Sequence, residues 1–235
     1  MLSISTQCLN ASKEKSLVRL FGGRFTRVPV LIETVVVTGS SRSIGAAIAK
    51  RLAQDGASVV INYASNEAAA KEVADEINGI RSGAAVTIKA DVSTVESCKR
   101  LLDETLKAFG KIDILVLNAG IMGLRGLREV DEKFFDNHFL INVKGPFFLV
   151  QAAEPHLKEG EQRVQLWDRI SLVRLTLPVG GRIIFFSTSL ARNSAITPPY
   201  LVYAATKGAT EQLSRALSKE LGAKGITVNT VSPGA

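Results

Sequence analysis

From residue 34 onward, short aliphatic and β-branched runs alternate with longer segments whose apolar residues recur at helical spacing. The runs cover 35–38, 58–61, 85–90, 112–117, 182–187 and 226–231, and the amphipathic segments 43–55, 66–80, 95–109, 134–153 and 203–221. Runs that are apolar without interruption suit strands covered on both faces, and a right-handed crossover through a helix returns each strand parallel to the last. The pattern therefore predicts an α/β, doubly wound, mainly parallel sheet with helices on both sides. Ligands of such sheets bind beyond the carboxyl ends of the strands, where the strand order reverses, so the residues just after each strand are the candidates for function.

Two places break the rhythm. Pro155 ends the helix around 134–153, and a stretch of mixed character, 161–178, holding Trp167, precedes the next strand. Connections within compact α/β units usually run about 2–6 residues, so this stretch reads as an insertion. The second break is Ser232-Pro233-Gly234-Ala235, where the sequence stops straight after its sixth strand, before any loop that could reach over a ligand. The expected organisation is a basic N-terminal tail, 1–30, and one domain, 31–235, with an insertion at 161–178 and a truncated C-terminus.

Composition narrows the class. Of 235 residues, 46% are hydrophobic and 22% charged, as in ordinary globular domains, and no apolar run approaches the roughly 18 residues of a membrane span. The net charge of +7 is concentrated at the start, where residues 1–30 carry five basic side chains against one acid and so hold +4 of it. The remaining +3 is too dispersed for a phosphate-binding stripe, so nucleic acid is not an expected partner. Cys8 and Cys98 support neither a disulfide framework nor a zinc site, and no metal is expected. Cytoplasmic location is the default. The basic, Ser-rich first segment, in which Leu17, Val18, Leu20 and Phe21 can line one side of a short helix, leaves a mitochondrial signal as the alternative to an unstructured tail.

Three groups of residues carry chemistry. After the first strand come Thr38-Gly39-Ser40-Ser41-Arg42-Ser43-Ile44-Gly45, where glycines permit a sharp turn and a helix N-terminus offers free N–H groups to a pyrophosphate. After the second come Asn62-Tyr63-Ala64-Ser65, with no carboxylate to hold a ribose diol or repel a 2′-phosphate. With Arg42 nearby, this favours NADP(H) over NAD. The third is Tyr203 with Lys207, one helical turn apart, where an ammonium is expected to lower the phenol toward the range of an acid/base catalyst. Upstream lies the hydroxyl cluster Ser187-Thr188-Ser189, able to hydrogen-bond a substrate carbonyl.

Thr38 to Gly45, Asn118-Ala119-Gly120, Asn142, the Ser189/Tyr203/Lys207 set and Ser232-Pro233-Gly234 together resemble the short-chain dehydrogenase/reductase family, over roughly 31–160 and 180–235. The Arg-containing glycine loop, the Asn-Tyr-Ala run and the Tyr-Ala-Ala-Thr-Lys-Gly helix start are most similar to its NADP(H)-dependent ketoreductases, including 3-oxoacyl-carrier-protein and fungal hydroxynaphthalene reductases. The resemblance implies a Rossmann sheet of strand order 3-2-1-4-5-6 lacking the family's last strand, and an oxidoreductase interconverting a small-molecule carbonyl and an alcohol. It implies a homo-oligomer, to which the missing C-terminus would normally contribute. It implies that Tyr203 protonates the substrate oxygen, Lys207 holds the nicotinamide ribose and lowers the phenol, Ser189 orients the carbonyl and Asn142 positions a relay water. The dinucleotide would lie on Gly39, Ser41, Arg42, Ser43, Ile44, Gly45, Asn62, Tyr63, Ala64, Ser65, Asp91, Val92, Asn118, Ala119, Gly120, Pro233 and Gly234, beside Tyr203 and Lys207. Asp91 and Asn118 also suit cap or turn roles.

The chain departs from the family pattern at Ser43, where glycine is usual, and weaker pyrophosphate binding is expected there. Counting from Gly181 points to Thr188 as the carbonyl-orienting hydroxyl, whereas counting back from Tyr203 points to Ser189; both stay open, with Ser189 preferred. A catalytically inactive dinucleotide-binding module is the alternative function.

Overall fold

The computed structural model describes residues 15–19, 25–29, 32–160, 164–167, 174–177, 180–191 and 196–234. The chain forms two compact units, Met1–Ile32 and Glu33–Ala235. In the first, β1 (Lys15–Arg19) and β2 (Phe25–Pro29) pair antiparallel, Lys15 opposite Pro29. Leu17 and Val18 therefore belong to a strand and not to a short helix; Leu20 and Phe21 lie outside the described residues.

The second unit runs β3 (Thr34–Val37), α1 (Ser43–Gln54), β4 (Ser58–Tyr63), α2 (Glu67–Ile80), β5 (Ala85–Lys89), α3 (Val95–Phe109), β6 (Ile114–Leu117), α4 (Glu132–Phe139), α5 (Gly145–Ala153), β7 (Val164–Trp167), β8 (Arg174–Leu177), β9 (Arg182–Phe186), α6 (Leu201–Gly222) and β10 (Thr227–Val231). Six strands form one parallel sheet in the order β10-β9-β6-β3-β4-β5, which, counting its strands along the chain, is 3-2-1-4-5-6. The order reverses between β3 and β6, which puts the expected crevice after Val37 and Leu117.

Strand periodicity divides the apolar residues between two cores. Val36, Val60, Leu115, Ile183 and Phe185 join Leu101 and Leu102 of α3 and Leu149 and Val150 of α5 on one face. Val35, Val37, Val59, Ile61 and Val116 meet Ala46, Ala49 and Ala53 of α1 and Val73 and Ile77 of α2 on the other. The alanine-rich face of α1 lets that helix settle close to the strands, which brings its N-terminus to the crevice. Asn66, Thr94 and Asp131 cap α2, α3 and α4 through their side chains, accepting from the backbone N–H three residues on.

Two local features depart from the periodic pattern. The segment expected as one helix over 134–153 is two, α4 and α5, joined by a π-helical turn at Leu140–Lys144 that carries the buried Asn142. Gly145 permits the next turn, since a β-carbon there would stand 2.2 Å from the Val92 carbonyl oxygen. The inserted stretch contributes β7 and β8, paired antiparallel. Its base is at Gly160 and Gly180, which close on Gly225 so tightly that a β-carbon on Gly180 would lie 1.9 Å from the Gly225 oxygen. Gly180 and Gly225 precede β9 and β10, so the insertion leaves the domain at the end of the sheet opposite the crevice.

Candidate active site

The glycine loop is built for close approach. Gly39 has φ +62, and a β-carbon there would come within 3.0 Å of Ala119 Cα; one on Gly45 would meet the Gly39 oxygen and Asn118 Nδ2 at 2.6 Å. Asn118 clamps the loop by donating to the carbonyls of Thr38 and Gly39 at 2.9 and 3.2 Å, while Thr38 Oγ1 accepts from the Ala119 N–H at 3.0 Å. α1 starts with no side-chain cap on its N-cap, Arg42, and no acid in its first turn. Its first N–H groups and the positive end of its dipole thus face the crevice unclaimed by a side chain, as a pyrophosphate requires. Arg42, Ser43, Ile44, Ala64 and Ser65 are exposed around it, and Ser41 is half-buried.

Ser43 sits at φ 50, left-handed backbone that an L side chain enters at a cost of about 1 kcal/mol. The serine therefore carries a strain that glycine would not, in addition to the side chain already expected to crowd the phosphates.

Asn62 braces this loop. It is 2% exposed and accepts from the Gly39 N–H at 3.2 Å, while its amide donates to the carbonyls of Ile88 at 3.3 Å and Ala90 at 3.0 Å. Its own N–H donates to Ser40 Oγ at 3.0 Å. Its hydrogen-bonding capacity is spent inside the protein, so it shapes the loop and is not placed to touch a dinucleotide with its side chain. Tyr63 and Val92 are likewise buried. Asp91 Oδ1 accepts from the Ser93 N–H at 2.9 Å, the turn role, with the residue itself exposed.

The carboxyl ends of β6 and β9 and the start of α6 bring the reactive groups together. A β-carbon on Gly120 would stand 3.5 Å from Lys207 Nζ and 3.2 Å from Asn142 Oδ1, so the loop after β6, the π-turn and α6 meet at one point. Asn142 is fully engaged: Oδ1 accepts from the Ile121 N–H at 2.8 Å, and Nδ2 donates to the Ile121 oxygen at 2.9 Å and Thr206 Oγ1 at 3.0 Å. A relay water on Asn142 is left with its main-chain carbonyl, which also accepts from Thr210 Oγ1 at 3.3 Å.

Lys207 is 6% exposed and donates through Nζ to the Phe186 carbonyl at 2.7 Å. Burial pulls its ammonium down to about 8. The nitrogen lies 5.8 Å from the centroid of the Tyr203 ring. Tyr203 departs from the sequence expectation, because burial holds its phenol above the usual 10 and a hydrogen bond with Thr188 draws it part of the way back. Lys207 is turned to a carbonyl, and removal from water outweighs the lowering expected of it.

That hydrogen bond bears on the two hydroxyls. Thr188 is half-buried and meets Tyr203; Ser189, the preferred candidate, is exposed, opens a short 3-10 turn, and sends its N–H to the Pro233 oxygen at 3.1 Å. Counting along the rigid strand from Gly181 finds the residue the fold sets against the phenol; counting back from Tyr203 crosses an irregular connection, whose length periodicity does not fix. Pro233 and Gly234 follow β10 at the same edge of the sheet.

Sequence reasoning missed Glu211, buried one turn beyond Lys207, and that Ser187 of the hydroxyl cluster donates to it. The signal was present as a fourth-residue spacing from Lys207 but was indistinguishable from a solvated helix charge. Among the described residues no three metal-ligating side chains converge, and no helix is long and apolar enough to cross a membrane. Cys98 is a buried free thiol, whose pKa burial raises to about 11; Cys8 lies outside the described residues.

A doubly wound sheet with a glycine loop at its switch point and a tyrosine–lysine pair across the crevice defines a dinucleotide-dependent oxidoreductase. The family model described as enoyl-(acyl carrier protein) reductase matches residues 39–235. A short chain dehydrogenase/reductase of Aspergillus aculeatus, AacuN, is 41% identical over 202 residues, 86% of this chain and 68% of its own. A short chain dehydrogenase of Burkholderia cenocepacia, solved in complex with NADP, superposes with a TM-score of 0.75 at 35% identity, covering 86% of this chain and 74% of that one. The landomycin C-6 ketoreductase LanV, solved with NADP and rabelomycin, gives 0.73 at 37%, covering 86% and 76%. The chain belongs to the short-chain dehydrogenase/reductase family.

Proposed function

We propose that this protein interconverts a ketone or aldehyde and an alcohol with NADP(H), and that the carrying observation is the convergence of Tyr203, Thr188 and Lys207 at the switch-point edge of the sheet. The uncapped start of α1 and the Asn118 clamp would hold the pyrophosphate. Arg42 would pair with the 2′-phosphate, unopposed by any carboxylate between Asn62 and Asn66. A bound nicotinamide supplies or accepts the hydride at the carbonyl carbon. The protein handles the proton: Tyr203, held protonated by its burial, donates it to the carbonyl oxygen as that oxygen gains charge. Thr188, in place of Ser189, orients that oxygen opposite the phenol. Lys207 lies between Gly120 and Tyr203, where its donors can turn from Phe186 to the ribose hydroxyls.

The finer setting follows the same reading. The protein works in a reducing compartment, the cytoplasm, on a small molecule, and forms a homo-oligomer, as the family resemblance implies. The test of the cofactor assignment compares NADPH with NADH, using isatin as carbonyl probe. NADPH oxidation exceeding NADH oxidation, with the preference lost in Arg42→Glu, supports the reading. NADPH binding without turnover would instead support a binding module.

A further inference from the structure

We propose that Glu211 is a positioning residue for the reaction, its buried carboxylate fixing the ends of β9 and β10 together so that Thr188 and the Pro233 loop are presented to the crevice at a set spacing. The inference rests on the carbonyl-reductase reading above and adds a residue to it. Glu211 Oε1 accepts from Ser187 Oγ at 3.0 Å and from Ser232 Oγ at 3.4 Å. The two serines follow the last residues of neighbouring parallel strands, Phe186 and Val231, which are themselves in register. Each immediately precedes a functional position, Ser187 before Thr188 and Ser232 before Pro233. Ser187 Oγ also lies 3.3 Å from the Lys207 carbonyl, and the Ser187 N–H donates to the Val231 oxygen at 2.9 Å.

Glu211 is 7% exposed and lies four residues beyond Lys207 on α6. Its second oxygen faces Arg215 Nη2 at 3.7 Å, an ion pair open to solvent on the arginine side. A carboxylate removed from water costs several kcal/mol unless its oxygens are hydrogen-bonded, and here both are met, Oε1 by the two serine hydroxyls and Oε2 by Arg215. One acceptor shared by two hydroxyls from two strands is a strut across the strand ends, and the helix supplying it also supplies Tyr203 and Lys207. Acid, base partner and carbonyl-orienting hydroxyl are thereby referred to one rigid element.

The experiment uses the full chain as wild type, Glu211→Ala, Glu211→Gln and Ser187→Ala, with folding followed by circular dichroism. Turnover is read with NADPH and isatin; the phenol titration of Tyr203 is read by ultraviolet difference against Tyr203→Phe. With Thr188 slipped from the phenol, Glu211→Ala and Ser187→Ala are expected to raise that titration by about half a pH unit, the worth of roughly one hydrogen bond. Glu211→Ala is expected to lower kcat about tenfold or more with the NADPH Kd within about threefold, and Glu211→Gln, which keeps an acceptor oxygen, to recover most of the loss. A folded Glu211→Ala whose phenol titration is unmoved overturns the proposal, as does a loss of kcat that only tracks the folded fraction. A wild type that shows the titration shift among its variants but no turnover overturns the reductase reading and leaves the strut standing.

Discussion

Lys207 Nζ donates to the Phe186 carbonyl at 2.7 Å, tying the helix of the acid/base pair to the last residue of β9. A buried ammonium held by one carbonyl is costly, and its ionisation records that cost.

The pH dependence of stability follows. Lys207 is lowered from 10.5 to about 8, so between these values the unfolded chain binds a proton that the folded one has released. Stability from this residue is lowest below about 8 and rises with pH to about 10.5, by on the order of 3 kcal/mol in full. Denaturant unfolding of wild type and Lys207→Met across that window is expected to show wild type gaining on the variant as pH rises. A constant difference would contradict the burial argument.

Ser43→Gly relieves a residue at φ 50 on the loop where phosphates are expected. It is expected to raise stability by about 1 kcal/mol, some 2–4 °C in Tm for a domain of this size, and to tighten NADPH binding. Differential scanning calorimetry and NADPH fluorescence read the two effects. Unchanged Tm together with unchanged or weaker binding would show that the loop has accommodated the serine without strain.

Asn62→Ala removes a side chain that satisfies Gly39, Ile88 and Ala90. Leaving such groups unpaired in the interior is expected to cost about 2–4 kcal/mol and to raise the KM for NADPH, with kcat at saturation little changed. Urea unfolding and steady-state kinetics check it. A drop in kcat with KM intact would place Asn62 nearer the chemistry than the structure does.

Thr188→Ala and Ser189→Ala separate the two hydroxyls. The first is expected to lower kcat by about 10²–10³, as for loss of an oxyanion-type donor, and the second by no more than about threefold. The reverse order would restore Ser189 to the role.

What the sequence made legible is what period and spacing encode. The unbroken runs at 35–37, 59–61 and 114–117 dictate strands buried on both faces, and the four-residue step from Tyr203 to Lys207 dictates a shared helix face. The rest turns on tertiary encounters. Asn62 reads as a ligand beside a crevice until its amide is seen spent on three backbone groups. The π-turn that delivers Asn142 leaves no mark on the apolar pattern of 134–153. The phenol's elevated ionisation depends on how deeply Tyr203 is buried and on where Lys207 points, and neither is a property of spacing. Glu211 reads as one more helix charge because Ser187 and Ser232 reach it from other strands.

The central claim is that Tyr203 is the proton donor at a carbonyl held beside a bound dinucleotide. Steady-state turnover of NADPH with isatin by Tyr203→Phe, alongside NADPH binding by fluorescence, tests it most directly. The expected result is a Kd within about threefold of wild type and a kcat lower by about 10²–10⁴, the range of a lost general acid. A Tyr203→Phe protein that binds NADPH and turns over within tenfold of wild type would contradict it.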